Sequence, residues 1–105
     1  MANSIKIRAR LKDGGVTEVK ALMTHPMETG QRKDKETGEK IPAHFIQEVV
    51  CTWQDKQVMK ALWTSGVSKN PYIAFRFKGA DKGDTIWLSW TDNKGESDSN
   101  TTEVK

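Results

Sequence analysis

Apolar and charged residues alternate along the first segment of the chain, and this period of two recurs throughout the sequence. In residues 4–11, SIKIRARL, every second side chain is apolar, and lysine or arginine occupies most positions between them. Such alternation is typical of a β-strand with one face buried and the other in solvent. No window of helical length carries an apolar stripe with a period of 3.6 residues. The pattern predicts an all-β fold.

Short segments with strand character are separated by turn signals such as KDGG, QDKQ, GADKGD and DNKG. We predict seven strands, over residues 4–11, 16–24, 43–53, 57–64, 72–78, 85–91 and 96–105. This spacing favours an immunoglobulin-like antiparallel β-sandwich of about seven strands. The chain has 105 residues, enough for one domain, so residues 1–105 are predicted to form a single domain. The polar last segment is expected either to fray or to be completed by another chain.

Charge and composition narrow the function classes. Lys and Arg number 17 against 14 Asp and Glu, and the two signs are interspersed along the chain. No basic block of the kind that nucleic-acid-binding arms use is present, so no nucleic-acid partner is predicted. The opening residues, MANSIKIRARL, contain no apolar run, so neither a signal peptide nor a membrane span is predicted. The single cysteine excludes an internal disulfide.

The stretch THPMETGQ, residues 24–31, is the least generic part of the sequence. His25 and Glu28 could be an acid–base pair, but Pro26 and Gly30 are equally consistent with a loop that sets a backbone path. A metal site would need the fold to bring His25 and His44 together with Cys51, which lies mid-strand, and no ligand pair has tight spacing. We therefore predict no metal, no cofactor and no catalytic residue.

The tryptophans differ in their strand parity. Trp90 has the parity of Ile86 and Leu88, which are predicted to face the core, whereas Trp87 shares its side with polar residues. An outward indole is either covered by a loop or strand, or is an anchor for a protein partner or a sugar. Trp87 is therefore an interface candidate. A ligand- or carbohydrate-binding module that uses Trp87 remains the alternative function.

Several motifs in order resemble the SoxZ family of the sulfur-oxidation (Sox) system. The most specific is VKALMTHPMETGQRKD, residues 19–34; the others are IPAHFI at 41–46, KNPYIAFRF at 69–77 and WLSWTDNKG at 87–95. The resemblance implies an immunoglobulin-like, non-catalytic subunit that pairs with the SoxY subunit in a heterodimer. SoxY would carry sulfur intermediates of thiosulfate oxidation on its C-terminal cysteine arm, and other Sox enzymes would bind transiently. It also implies a periplasmic location by co-export with a signal-bearing partner.

The resemblance assigns a role to the THPMETGQ loop as a hypothesis. We expect His25, Pro26, Met27, Glu28 and Gly30 to shape a rigid partner-recognition loop, with Met27 offering an adaptable apolar contact. Cys51 is expected to be core filler and not the carrier thiol. The isolated chain is also a candidate for self-association through unpaired strand edges.

Overall fold

The computed structural model describes residues 4–105, which form seven β-strands and one short 3-10 turn. The strands are β1 (Ile5–Lys12), β2 (Val16–Met23), β3 (Ile46–Trp53), β4 (Lys56–Leu62), β5 (Tyr72–Lys78), β6 (Thr85–Asp92) and β7 (Ser97–Glu103). The prediction of an all-β chain with seven strands is confirmed. No helix in the described part of the chain is long and apolar enough to cross a membrane.

The strands form two antiparallel sheets that pack as a sandwich. One sheet has the order β1-β2-β5 and the other the order β4-β3-β6-β7. The alternation noted in the sequence turns alternate side chains of each sheet toward the other sheet. Between the sheets lie fully buried side chains from both, the largest being Trp90, Met23, Ile46, Ile86 and Leu88. The immunoglobulin-like sandwich predicted from the sequence agrees with this arrangement.

A β-bulge corrects the predicted parity at the start of β3. The pairing of β3 with β6 shifts register between Ile46 and Glu48, which places one extra residue on β3. As a result Ile46 is fully buried, and Phe45, which has the same sequence parity as the buried Val49, is only half-buried. The strand begins at Ile46 and not at residue 43, so residues 43–45 belong to the preceding connection.

The last strand is paired and does not depend on another chain for its backbone hydrogen bonds. All of β7 pairs with β6. Beyond it, Val104 bridges Ala9 of β1, the Leu11 N–H donates to the Lys105 carbonyl at 2.9 Å, and the Lys105 N–H donates to the Ala9 carbonyl at 3.0 Å. The C-terminal residues thereby join the two sheets along one side and cover the edge of β1 from Ala9 to Leu11. The expectation that the strand would fray was wrong, and its completion by another chain stays a prediction.

The long connection from β2 to β3 crosses one end of the sandwich. It contains the THPMETGQ stretch and an exposed hairpin in which Lys33 bridges Lys40. The Gly38 N–H donates to the Asp34 carbonyl at 2.9 Å near the tip of this hairpin. The connection brings His25 and His44 to the same end as the β6–β7 turn.

Candidate functional site

The connection after β2 is held to its neighbours by backbone hydrogen bonds before it reaches His25. The Met23 N–H donates to the Pro71 carbonyl at 2.9 Å, and the Thr24 N–H donates to the Ser4 carbonyl at 2.7 Å. The His25 N–H donates to the Asn70 side-chain oxygen at 3.1 Å. These bonds turn the chain inward, so that the His25 ring lies under the loop and not on its surface.

His25, His44 and Asp92 form a buried hydrogen-bonded cluster. The His25 side chain is 1% exposed, and its Nε2 atom lies 3.1 Å from Asp92 Oδ2. His44 Nε2 lies 2.7 Å from the same carboxylate oxygen. The His25 ring also packs edge-on against Trp90, with ring centroids 5.1 Å apart. Asp92 could not be identified as a member from the sequence, because it belongs to the ordinary turn signal DNKG.

The hydrogen bonds identify the tautomer of His25. The Met27 N–H donates to His25 Nδ1 at 3.1 Å, so Nδ1 carries a lone pair and the proton of the neutral ring lies on Nε2. Nε2–H therefore donates to Asp92. Burial lowers the pKa of the His25 imidazole and outweighs the Asp92 hydrogen bond, which acts in the opposite direction. Both influences are physical consequences of enclosing the ring.

Asp92 has an acceptor role on both of its oxygens. Oδ2 receives the two imidazoles, while Oδ1 accepts the backbone N–H of Lys94 at 3.0 Å and of Glu96 at 2.9 Å. Burial by itself would raise the pKa of this carboxyl, but the hydrogen bonds, led by that from His25, hold the pKa below its ordinary value. Asp92 thus ties the β6–β7 turn to the loop after β2.

The cluster offers three potential ligand atoms for a metal ion within 4.8 Å of one another, but its hydrogen bonds do not suit one. A metal on His25 Nε2 would require the ring proton to move to Nδ1, where the Met27 N–H already donates. The grouping with Cys51 that a metal site was reasoned to need is not the one found among the described residues, since the third member is Asp92. The arrangement connects the loop after β2 to the β6–β7 turn and stabilises both.

Met27 shapes the loop from inside. It is 4% exposed, adopts a left-handed backbone with φ of 48°, and its sulfur accepts the Ile46 N–H at 3.3 Å. A left-handed conformation is uncommon for a residue other than glycine. The expectation that Met27 offers an apolar contact to a partner is corrected, because its side chain is enclosed. His25 is likewise unavailable for direct contact.

The accessible part of the recognition loop consists of Pro26, Glu28 and Gly30, together with their polar neighbours. Glu28 exchanges backbone hydrogen bonds with His44 at 2.7 and 3.0 Å, and its carboxylate accepts the Arg32 guanidinium at 2.6 Å. That hydrogen bond lowers the pKa of Glu28. Gly30 has φ of 86°, and a Cβ there would lie 3.2 Å from Ala43 Cβ. Hydrogen bonds and close packing therefore hold the loop to its neighbours, and its rigidity and its role in recognition stay predictions.

Cys51 and Trp87 lie on opposite sides of the four-stranded sheet. Cys51 is fully buried, and burial raises the pKa of its thiol to about 12, so the reactive thiolate is scarce at neutral pH. Trp87 is 38% exposed. It pairs across the sheet with Thr52 and Thr101. The outward parity expected for Trp87 agrees with its exposure.

The residues beside Trp87 carry no charge, and Lys60 and Glu103 lie next to them on the same side of the sheet. We call this surface the Trp87 face and define it by Val50, Thr52, Trp87, Ser89, Ser99 and Thr101. Depletion of charge around a central aromatic residue is the compositional mark of an interface core. Hydroxyl groups around an indole are also compatible with a sugar platform.

A match to a protein-family model shows the family to which this chain belongs. The model for the sulphur oxidation protein SoxZ matches residues 5–103. The chain belongs to the SoxZ family. The predicted resemblance is thereby confirmed, and the protein is a sulfur-oxidation protein. A search of curated proteins gave no significant match.

Solved structures similar to this SoxZ-family chain share its fold at low sequence identity. A superoxide reductase (neelaredoxin) from Ignicoccus hospitalis has a TM-score of 0.65 and 15% identity, with 98% of this chain and 80% of that chain covered. A hypothetical protein from Pyrococcus horikoshii has a TM-score of 0.65 and 15% identity, covering 98% and 88%. The superoxide reductase from Archaeoglobus fulgidus has a TM-score of 0.62 and 20% identity, covering 94% and 86%. At sequence identities this low, the similarity is evidence for the fold alone.

Proposed function

We propose that this SoxZ-family chain is the non-catalytic subunit of the SoxYZ carrier complex. It pairs with SoxY and presents the C-terminal cysteine arm on which SoxY carries covalent sulfur intermediates during thiosulfate oxidation. The observation that carries the proposal is the family match over residues 5–103. Other Sox enzymes would visit the complex transiently, and the chain itself would perform no chemical step.

The chemistry of the described residues supports this division of labour. A carrier thiol has to be accessible and partly ionised to attack or release a sulfur intermediate. Cys51 is fully buried, and burial raises the pKa of its thiol to about 12. In the His25–His44–Asp92 cluster, both ring nitrogens of His25, Nε2 of His44 and both carboxylate oxygens of Asp92 are engaged in hydrogen bonds with each other or with backbone N–H groups. Neither group is arranged to act on a substrate, which favours a presenting role.

The Trp87 face is our candidate for the surface that SoxY covers. Its charge depletion and central indole suit a lasting contact, in which a buried aromatic residue supplies much of the binding free energy. Glu28 and Pro26 at the end of the sandwich form the accessible part of the recognition loop. We further propose that the pair reaches the periplasm by co-export, with the signal peptide on SoxY.

The test is co-expression with SoxY followed by co-purification and intact-mass spectrometry. We expect a one-to-one complex in which sulfur adducts lie on SoxY while Cys51 stays unmodified, and Cys51→Ala leaves both results unchanged. Adducts on Cys51, or no complex, would overturn the proposal. Deleting the SoxY signal peptide should retain both proteins in the cytoplasm, and export of this chain alone would contradict co-export.

Matched variants locate the contact. Trp87→Ala should weaken the complex by about tenfold or more, whereas Thr101→Ala beside it should have little effect. Glu28→Ala tests the loop, with Glu36→Ala at the exposed hairpin tip as its control. If the Trp87 variant binds SoxY like the wild type, the contact lies elsewhere.

A carbohydrate-binding module remains the second candidate, because Trp87 is exposed among hydroxyl side chains. It predicts quenching of Trp87 fluorescence by soluble oligosaccharides in the absence of SoxY. Lack of any quenching, judged against the Trp87→Ala variant, would remove this candidate.

A further inference from the structure

The outer face of the three-stranded sheet gathers basic residues that are scattered in the sequence. Four rows cross β1, β2 and β5, and the outward positions hold seven cations and one carboxylate, that of Glu18. The cations, which we call the basic face, are Lys6, Arg8, Arg10, Lys12, Lys20, Arg76 and Lys78. All seven are exposed. The net positive charge of these outward positions, seven cations against one carboxylate, exceeds the net charge of the whole chain, which is +3.

This concentration of charge is unfavourable for the folded chain alone. Arg8 lies directly opposite Lys20, and like charges at directly opposed positions destabilise a sheet. Glu18 relieves only part of the repulsion, since it pairs with Arg76 at 2.7 Å and with Lys20 at 3.5 Å. Within residues 4–105, the four cations of β1 make no salt bridge.

Protection of a free strand edge does not account for the basic face. Lysine and arginine on an edge strand discourage pairing with other chains. Here Val104 and Lys105 already cover the part of the β1 edge from Ala9 to Leu11, through hydrogen bonds with those two residues. Edge protection therefore does not explain the cations at this end of β1, nor Lys20 on the central strand β2, and these are available for another role.

One end of the face adds an apolar contact. Leu22 is 41% exposed and Tyr72 is 58% exposed, and they lie side by side in the same row as Lys6. An exposed tyrosine beside an aliphatic side chain is a favourable anchor for a protein partner. The cations alongside would steer an acidic surface toward this anchor.

We propose that the basic face is a docking surface for a protein whose facing surface is acidic and whose edge is apolar. Glu18 favours a protein over a continuous polyanion, because a phosphate backbone or lipid headgroup layer would meet this carboxylate at the centre of the face. A folded partner can place a donor or a neutral group there. The basic face is three strands wide, with about 4.8 Å between strands, and extends about 3.3 Å per residue along each strand. A face of these dimensions suits a small, transient interface. It lies on the sheet opposite the Trp87 face, so both surfaces can be occupied together.

The test measures binding of the full chain to acidic polypeptides. The probes are poly-L-glutamate and a glutamate–tyrosine copolymer, with a DNA duplex and phosphatidylserine vesicles for comparison. We expect the copolymer to bind best, amide chemical-shift changes to lie on β1, β2 and β5, and affinity to fall as salt rises. Tyr72→Ala should abolish the preference for the copolymer over poly-L-glutamate.

Matched charge reversals separate the face from overall charge. Arg8→Glu/Lys12→Glu should weaken copolymer binding about tenfold or more, while Lys33→Glu/Lys35→Glu on the exposed hairpin changes net charge equally and should alter binding less than about twofold. Equal losses in the two double variants would overturn the proposal. Tighter binding of DNA or of vesicles than of the copolymer would also overturn it, in favour of a polyanion. Circular dichroism establishes that each variant is folded.

Discussion

The buried cluster and the basic face are the two concentrations of polar groups in this protein, and they are built in opposite ways. In the cluster, Asp92 accepts four hydrogen bonds, two of them from His25 and His44. On the basic face, Arg8 and Lys20 lie opposite each other in solvent without a carboxylate between them. One region has its polar groups paired within the chain, and the other leaves charge available.

The two regions are expected to contribute to different properties, the buried cluster to folding stability and the basic face to binding. A buried carboxylate without donors would be costly, so the four donors to Asp92 are a condition of folding. Exposed charges are solvated, so the chain tolerates their repulsion at a small cost. Removing a member of the cluster should therefore harm stability, whereas removing a cation from the face should harm binding and spare the fold.

The largest expected effect is that of Asp92→Ala. We expect a loss of about 3–5 kcal/mol in the free energy of unfolding, because the donors to Asp92 lose their acceptor at a buried position. Urea denaturation at pH 7.5 measures it, with the exposed Asp13→Ala expected to stay within about 0.5 kcal/mol of wild type. Asp92→Asn, which keeps the shape, should lie between them. A loss under about 1 kcal/mol for the alanine variant would contradict the claim that the cluster, unlike the basic face, is needed for stability.

Acid should weaken the cluster and leave the basic face unchanged. The unfolded imidazole titrates near pH 6.5, whereas burial lowers the pKa of folded His25, so between these values the unfolded state binds a proton that the folded state excludes. Stability is then lost as pH falls below about 6.5, by at most about 1.4 kcal/mol per pH unit for this group. The depressed pKa of Asp92 acts in the same direction at lower pH.

Urea denaturation between pH 7.5 and 5.5 measures this slope. The His25→Gln variant, which cannot titrate at this position, should show a flatter dependence. A His25 pKa at or above its ordinary value, read from ring proton shifts by NMR, would contradict the assignment.

A smaller effect of opposite sign is expected for Arg8→Glu. A glutamate at this position would face Lys20, so a repulsive cross-strand pair becomes attractive and the free energy of unfolding should rise by about 0.2–1 kcal/mol. Arg10→Glu is the matched control, because Arg10 faces Glu18 and its reversal should destabilise by a similar amount. Stabilisation by both reversals, or by neither, would show that cross-strand charge does not govern the stability of this face.

Added zinc should have no effect on thermal stability. A metal ion that binds the folded chain at 100 times its dissociation constant would add about 2.7 kcal/mol. His25 Nδ1 accepts the Met27 N–H, which holds the ring proton on the nitrogen that a metal would need. Thermal melts with and without Zn²⁺ measure this. A rise in melting temperature that disappears in Asp92→Asn would make the cluster a metal site.

The sequence alone predicts the strands and the family, for identifiable physical reasons. Period-two alternation depends only on neighbouring residues, so the seven strands could be read along the chain, with Trp90 inward and Trp87 outward. The motif around His25 is likewise contiguous and marks the SoxZ family. Alternation along the sequence does not place Phe45 correctly, because the bulge near Gln47 depends on how β3 meets β6.

The distribution of the polar groups in space depends on the tertiary structure and could not be predicted from the sequence. Asp92 reaches His25 across a sequence separation of 67 residues, and nothing in DNKG distinguishes this aspartate from an ordinary turn residue. The enclosure of Met27 follows from the same packing, because the loop turns inward to place its sulfur beside Ile46. The basic face likewise exists only because antiparallel register aligns outward positions of three strands. Interspersed signs along a chain become segregated in space when alternate residues of neighbouring strands share one side of a sheet.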